Sequence, residues 1–277
     1  DIFLSRVTDP TLTVIDGDVT GDGIGDGSVL RIDASAGVAI SMTVKGFTIQ
    51  NGVSEDGGGV FATALSSGSV ILNLEGNIIR HNKSTNSAGG IALYAQDPGA
   101  NIQSTLTNNL FYGNQTAGDG GAIYAASSNS GNTALTFINN TVSENIADAA
   151  GDGLYVYAEK GGKTNLTVKN SIVWGNGGSD GQDISIQQSS GSASVNASYS
   201  DIGNALLDAA APGTYNNLGN NINADPLFVN SAGGDFHLGA GSPAMDRGTS
   251  DGAPALDFEG NVRPQGRGYD IGADERQ

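Results

Sequence analysis

Thr105 to Asn114, TLTNNLFYGN, decides the fold, because versions of it recur at nearly constant spacing. It is preceded by Thr43-Val44-Lys45-Gly46-Phe47-Thr48-Ile49-Gln50-Asn51 and by Asn73 to Asn82 (NLEGNIIRHN). It is followed by Thr136 to Asn145 (TFINNTVSEN) and Thr167 to Asn176 (TVKNSIVWGN). The closing residues Asn51, Asn82, Asn114, Asn145 and Asn176 are 31, 32, 31 and 31 residues apart, and a poorer copy runs from Asn196 to Asn204. Most copies are followed by glycine and a short apolar run: Gly59-Val60, Gly90-Ile91, Gly121-Ala122-Ile123, Gly153-Leu154. Within a copy the apolar residues alternate. Leu72 and Leu74, Leu135 and Phe137, Leu166 and Val168 point one way, while Asn73, Thr136 and Thr167 point the other.

Alternation of this kind is the signature of a strand. A fixed period of roughly 20–50 residues, with Gly and Asn at corners that need positive φ, is the signature of a solenoid. The sequence therefore predicts an all-β, right-handed parallel β-helix of about 31 residues per coil. Coils are expected over residues 1–204, with an acidic loop at 16–26, and a final coil plus irregular capping segment over 205–277. An open solenoid end leaves strand edges and apolar side chains bare, which is the reason to expect a cap. The five closing asparagines are expected to form an inward ladder of side-chain amides, bonded coil to coil.

Composition narrows the function. Twelve Lys and Arg against 29 Asp and Glu give a net charge of −17, which repels phosphate backbones and argues against nucleic acid. There is no cysteine, so disulfides contribute nothing and the count fixes no compartment. No apolar run approaches the roughly 18 residues of a membrane span, and no signal-like segment opens the chain, which starts in mid-pattern at Asp1-Ile2-Phe3-Leu4.

Phe-x-x-Asn (Phe111 to Asn114, Phe137 to Asn140) and Gly-Gly-Ala-Ile (Gly120 to Ile123) resemble the repeats of chlamydial polymorphic outer membrane proteins and of other bacterial β-helix surface proteins. The series Asp225-Pro226-Leu227-Phe228, Asp235-Phe236-His237-Leu238, Gly241 to Asp246, Asp257 to Pro264 and Gly268 to Glu275 resembles the choice-of-anchor Q terminus of pectate-lyase-like β-helix proteins. These resemblances imply an exported bacterial protein, extracellular or held at the cell surface. Arg247, Arg263 and Arg267 among Asp246, Asp257, Asp270 and Asp274 are expected to pair within the cap, and His237 to serve its packing.

Three sets of residues carry candidate chemistry. Asp18-x-Thr20-x-Asp22-Gly23-Ile24-x-Asp26 supplies positions 1, 3, 5, 6 and 9 of a calcium loop, with the Ile24 carbonyl at 7. It resembles the calcium loop of dockerins, except that position 12 is Val29 where a bidentate carboxylate belongs. A solvated acidic turn is the plainer reading of the same residues. The second set counts two residues back from each corner asparagine: Ile49, Arg80, Tyr112, Ser143 and Trp174, expected on one outward face. The third, after the glycines, is Phe61, Tyr94, Tyr124, Tyr155 and Tyr157. Aromatic rings in a stripe stack on sugar rings, or they steady neighbouring coils as cross-strand pairs. Tyr112, Trp174, Arg80, Tyr94, Tyr124 and Tyr155 are the expected ligand contacts.

Arg80-His81-Asn82-Lys83 with Tyr112 is the one cluster that resembles what a polysaccharide lyase needs, a base and cations to neutralise a uronate. The Arg-x-Pro-x-x-Arg of pectate lyases and the Gly-His-Gly of polygalacturonases are both missing. The leading expectation is an extracellular β-helix scaffold, calcium-stabilised, that binds carbohydrate or another surface partner without catalysis. A lyase or hydrolase acting on an acidic glycan, and a self-assembling sheath or surface-layer subunit, are the alternatives.

Overall fold

The computed structural model describes residues 2–5, 13–22, 25–177, 181–207 and 212–276. Gly23 and Ile24 of the acidic loop lie outside the described residues. The fold is a parallel β-helix whose strands stack into four faces, followed in the same order along the chain, the fourth face receiving a strand from four of the coils. The first face carries strands such as Val60–Leu65, Ile91–Gln96, Ile123–Ser128 and Leu154–Glu159. The second carries the longest, such as Ser69–Glu75, Asn101–Thr107 and Asn132–Ile138, in an eight-stranded sheet. The third holds short strands, Thr48–Gln50, Ile78–Arg80, Leu110–Tyr112, Thr141–Val142 and Ile172–Val173, and the fourth Val53–Asp56, Lys83–Ser87 and Gln115–Thr116.

Register places like above like. Leu74, Leu106, Phe137, Val168 and Ala197 form one inward column, all buried. Glycines recur where backbones crowd: a Cβ on Gly121 would lie 2.1 Å from the Asp152 carbonyl oxygen.

The asparagine ladder exists, shifted at its start. Asn82 Oδ1 accepts the Gly52 N–H at 3.0 Å, and Asn114 Oδ1 accepts the Asn82 N–H at 3.2 Å and its Nδ2 at 3.0 Å. Asn145 and Asn176 repeat the arrangement, and Asp183 Oδ1 ends it by accepting Asn176 N–H at 2.9 Å. Asn51 is not a rung. The coil from Ile49 to Ile79 is 30 residues long where the next, from Ile79 to Phe111, is 32, so Ile49 pairs with Ile79 and Gln50 with Arg80. Ile49 is consequently a fully buried core residue rather than an outward one. Asn51 becomes the equivalent of His81, with φ of 60° and 53° respectively.

A second ladder, not expected from the spacing, runs at the other corner of the third face. Asn109 Oδ1 accepts Asn77 N–H at 3.0 Å, Asn140 Oδ1 accepts Asn109 N–H at 2.8 Å, and Ser171 and Ser200 continue with their hydroxyls.

The capping segment does not simply plug the open end. Thr214–Asn217 adds a last strand to the second face, and the remainder turns back along the flank as a strap over the third face. Phe236 packs on Ile78, Leu110 and Tyr112, while Leu238, Ala244 and Ile271 pack on Ile172. Three stacked corner residues with positive φ, Asn108, Asn139 and Asn170, hold it by their side chains. Their Nδ2 atoms donate to the carbonyls of Leu256 (2.6 Å), Gly272 (3.1 Å) and Thr249 (2.7 Å). Arg263 fastens the strap to itself, pairing with Glu275 at 2.9 Å, both side chains fully buried. That corrects the expected partner, since no Asp pairs with Arg263 among the described residues.

Below Ile172 in the same outward column sits Asp201, fully buried. One oxygen accepts the Ala224 N–H at 3.1 Å and the other has no hydrogen-bond partner among the described residues. Burial pushes its pKa up to about 7, helped by the charges of Asp183 and Asp225. A carboxyl whose folded pKa is raised stabilises the fold fully below its unfolded value, and the contribution disappears as pH rises through the folded one. Wild-type stability should therefore decline between about pH 4 and pH 7. An Asp201→Asn chain should show a shallower decline than wild type across that window, the remainder coming from other raised carboxyls such as Asp270, read by thermal scans at each pH. Parallel pH profiles would refute the assignment.

Candidate functional site

Two outward columns of the first face alternate large and small residues. One reads Arg31, Phe61, Ala92, Tyr124, Tyr155; the other Asp33, Thr63, Tyr94, Ala126, Tyr157. Each alanine leaves room for the ring in the next column, so the aromatics knit into one strip. Centroids lie 5.9 Å apart from Phe61 to Tyr94, 5.2 Å from Tyr94 to Tyr124, 5.1 Å from Tyr124 to Tyr155 and 6.2 Å from Tyr155 to Tyr157. Arg31 closes one end, its guanidinium 4.7 Å over the Phe61 ring.

The members differ in access. Tyr124 and Tyr155 are buried, at 9% and 5% exposure, and with Ala88 and Ala92 they form a small core of their own. Tyr94 and Tyr157 are half-buried and stand two coils apart over Ala126. Between them opens a cleft of about 100 Å³, with Tyr124 beside it and Gln96, Ser128 and Glu159 at its rim. The Tyr94 hydroxyl donates to Asp56 at 3.1 Å and that of Tyr157 to Glu159 at 3.3 Å. Burial holds both phenols above their usual pKa, so they stay neutral. The cleft therefore offers ring faces, hydrogen-bonding groups and negative charge, which suits a neutral polyhydroxylated ring and disfavours an anion.

The expected outward column of the third face is largely closed. Tyr112 is only 8% exposed, its ring 5.1 Å from Phe236 of the strap, and Trp174 is half-buried against the cluster of Ile172 with Leu238, Ala244 and Ile271 of the strap. The strap occupies the face that the sequence pattern left for sugar. Arg80 is also committed: Nε donates to Gln50 at 2.9 Å and Nη1 to the Tyr112 hydroxyl at 2.8 Å.

Beside this face lies a broader recess of about 500 Å³, lined by Asn51, Val53, His81, Lys83 and Gln115. His81 stands edge-on to Tyr112 at 5.4 Å, over Gly113, where a Cβ would fall 2.6 Å from its Nδ1. Burial, then the charges of Arg80 and Lys83, holds its pKa below the usual histidine value. The structure thus brings His81 and Lys83 to one recess and sets Tyr112 beneath it.

In the acidic loop, Asp18 Oδ1 accepts the N–H groups of Gly21 (2.7 Å) and Asp22 (3.2 Å). Asp26 Oδ2 accepts those of Val19 (2.9 Å) and Thr20 (3.1 Å). These carboxylates close the turn on itself. Among the described residues, Asp18, Asp22 and Asp26 do not bring three ligand oxygens within 4.8 Å of one another.

No family model, no curated protein and no solved structure matches this chain.

Proposed function

We propose that this protein is an extracellular β-helix module that binds a neutral carbohydrate in the cleft between Tyr94 and Tyr157. The observation that carries this reading is the spacing of those two half-buried rings about an alanine floor, with polar groups at the rim. The coils serve as a rigid rack, which orders the rings before any ligand arrives and lowers the entropic cost of binding. Its place on a bacterial surface, and kinship with pectate-lyase-like and choice-of-anchor Q proteins, rest on the sequence resemblances. Calcium at residues 18–26 belongs to the same proposal, as a stabiliser that takes over the loop's internal bonds.

A glycan array with and without calcium, followed by calorimetry, tests the reading. Neutral oligosaccharides should bind in preference to uronates. Tyr157→Ala and Ala126→Leu, the second filling the cleft, should weaken binding by about two- to twelvefold, the equivalent of the roughly 0.5–1.5 kcal/mol of an aromatic contact. Tyr157→Ala should melt close to wild type, whereas Ala126→Leu should melt lower, because Ala126 is buried in one cluster with Tyr124 and Tyr155. Binding undiminished in Ala126→Leu, or no glycan retained at all, would overturn the proposal.

One observation favours a second reading, lyase action: an imidazole kept neutral between Arg80 and Lys83 in an open recess. A base beside cations is what abstraction of a proton next to a uronate requires. Growth of ultraviolet absorbance from an unsaturated product on uronate polymers, abolished in His81→Ala, would establish it.

A further inference from the structure

Three strap segments distant in sequence converge away from the aromatic cleft. His237 lies in the strand Asp235–Leu238, Glu259 in the following turn region and Asp274 in the final described stretch. One ring nitrogen of His237 and one carboxylate oxygen each from Glu259 and Asp274 lie within 4.8 Å of one another. His237 Nε2 is 3.1 Å from Glu259 Oε2. On the other side of the ring, Nδ1 is 2.6 Å from Asp235 Oδ1. Asp274 is only 5% exposed, and one of its oxygens accepts the Leu238 N–H at 2.9 Å.

We propose that His237 Nε2, Glu259 and Asp274 bind a divalent transition-metal cation of the zinc type. Ligand atoms bound at about 2.0–2.2 Å around one cation sit some 3–4 Å apart, so the group needs only a slight contraction. The metal would replace the present contact between the imidazole and Glu259. Asp235 supplies the outer partner that metal-bound imidazoles require, a carboxylate on the far nitrogen that fixes the tautomer and the ring's direction. An imidazole nitrogen among the ligands favours zinc and its neighbours over calcium or magnesium, which prefer oxygen alone. Half exposure of His237 and Glu259, 44% and 40% by side chain, leaves a path for the ion and a position for water. The histidine expected to serve packing then has a ligand role, and the cation ties the strand, the turn and the final stretch together.

Calorimetry with zinc chloride, on full chain freed of metal by a chelator, tests the inference. About one zinc per chain should bind, with a raised melting temperature, and calcium chloride should not compete for it. His237→Gln should abolish the heat. Because that variant could disturb the strap, Glu259→Gln at an exposed position provides the second test: it should fold as wild type and bind zinc at least tenfold more weakly. Asp235→Asn should weaken zinc by about 10–100-fold. No zinc heat in the wild type, or equal heat in Glu259→Gln, would overturn the proposal.

Discussion

An Arg263→Met chain should keep its coils and lose its strap. The guanidinium is buried, donating to Glu275 at 2.9 Å and to the carbonyls of Gly272 and Ala273 at 3.0 and 2.7 Å. Methionine fills part of the space but leaves a fully buried carboxylate without its cation. Removing one partner from such a pair costs about 3–5 kcal/mol. The coils have a separate continuous core, so the loss falls on the strap and its grip on the third face. Trp174, the chain's one tryptophan, lies under that strap and reports the event: its emission should shift to the red and a hydrophobic dye should bind, while far-ultraviolet dichroism stays largely intact. Adding Glu275→Gln should recover part of the loss. Unchanged tryptophan emission and melting temperature would contradict the role given to Arg263.

Asn114→Leu should be nearly as damaging, and Asn51→Gly almost silent, although both residues close the same repeated motif. Asn114 is fully buried. Its Oδ1 accepts two bonds from Asn82, and its Nδ2 donates to the Ile79 carbonyl at 2.9 Å and to Asn145 Oδ1 at 2.9 Å. Leucine is close in volume but satisfies none of these groups, and each buried group left unpaired costs about 1–3 kcal/mol. A combined loss of about 3–5 kcal/mol is expected, because the costs are not additive. Among the described residues the Asn51 side chain bonds with Asp16 alone, at an exposed corner, and its positive φ suits glycine. Urea midpoints at matched slope separate the two; similar small changes in both would remove the ladder's energetic role.

The repeat made the parallel coils legible because side-chain period and coil period both survive in one dimension. What misled was a single residue. This copy carries Gly52 at the rung position, so Asn51 stands one residue before the ladder and Ile49 turns inward, and spacing accepted Asn51 because it falls 31 residues before Asn82. The aromatic strip was readable residue by residue, yet the division between buried Tyr124 and Tyr155 and half-open Tyr94 and Tyr157 was not. It depends on the alanines opposite them in register.

The strap left a signal that alternation hid. Ile78-Ile79, Leu110-Phe111 and Ile172-Val173 place apolar residues on both sides of third-face strands, as strands covered on two faces do. The outer corner carries Gly46 and Gly76 in the early coils but Asn108, Asn139 and Asn170 where the strap docks. Paired asparagines such as Asn108-Asn109 combine the two duties, the first gripping the strap and the second filling the inner ladder.

A stack of coils whose contacts join only neighbours can melt from either end, one layer at a time. Here the bond from Asn108 to Leu256 joins residues 148 apart, and its companions at Asn139 and Asn170 bridge 133 and 79 residues. Any layer they touch can open only if the wrapping is lifted from several layers together. The middle of the stack thereby acquires the all-or-none behaviour of a globular domain, while the layers ahead of it remain free to fray.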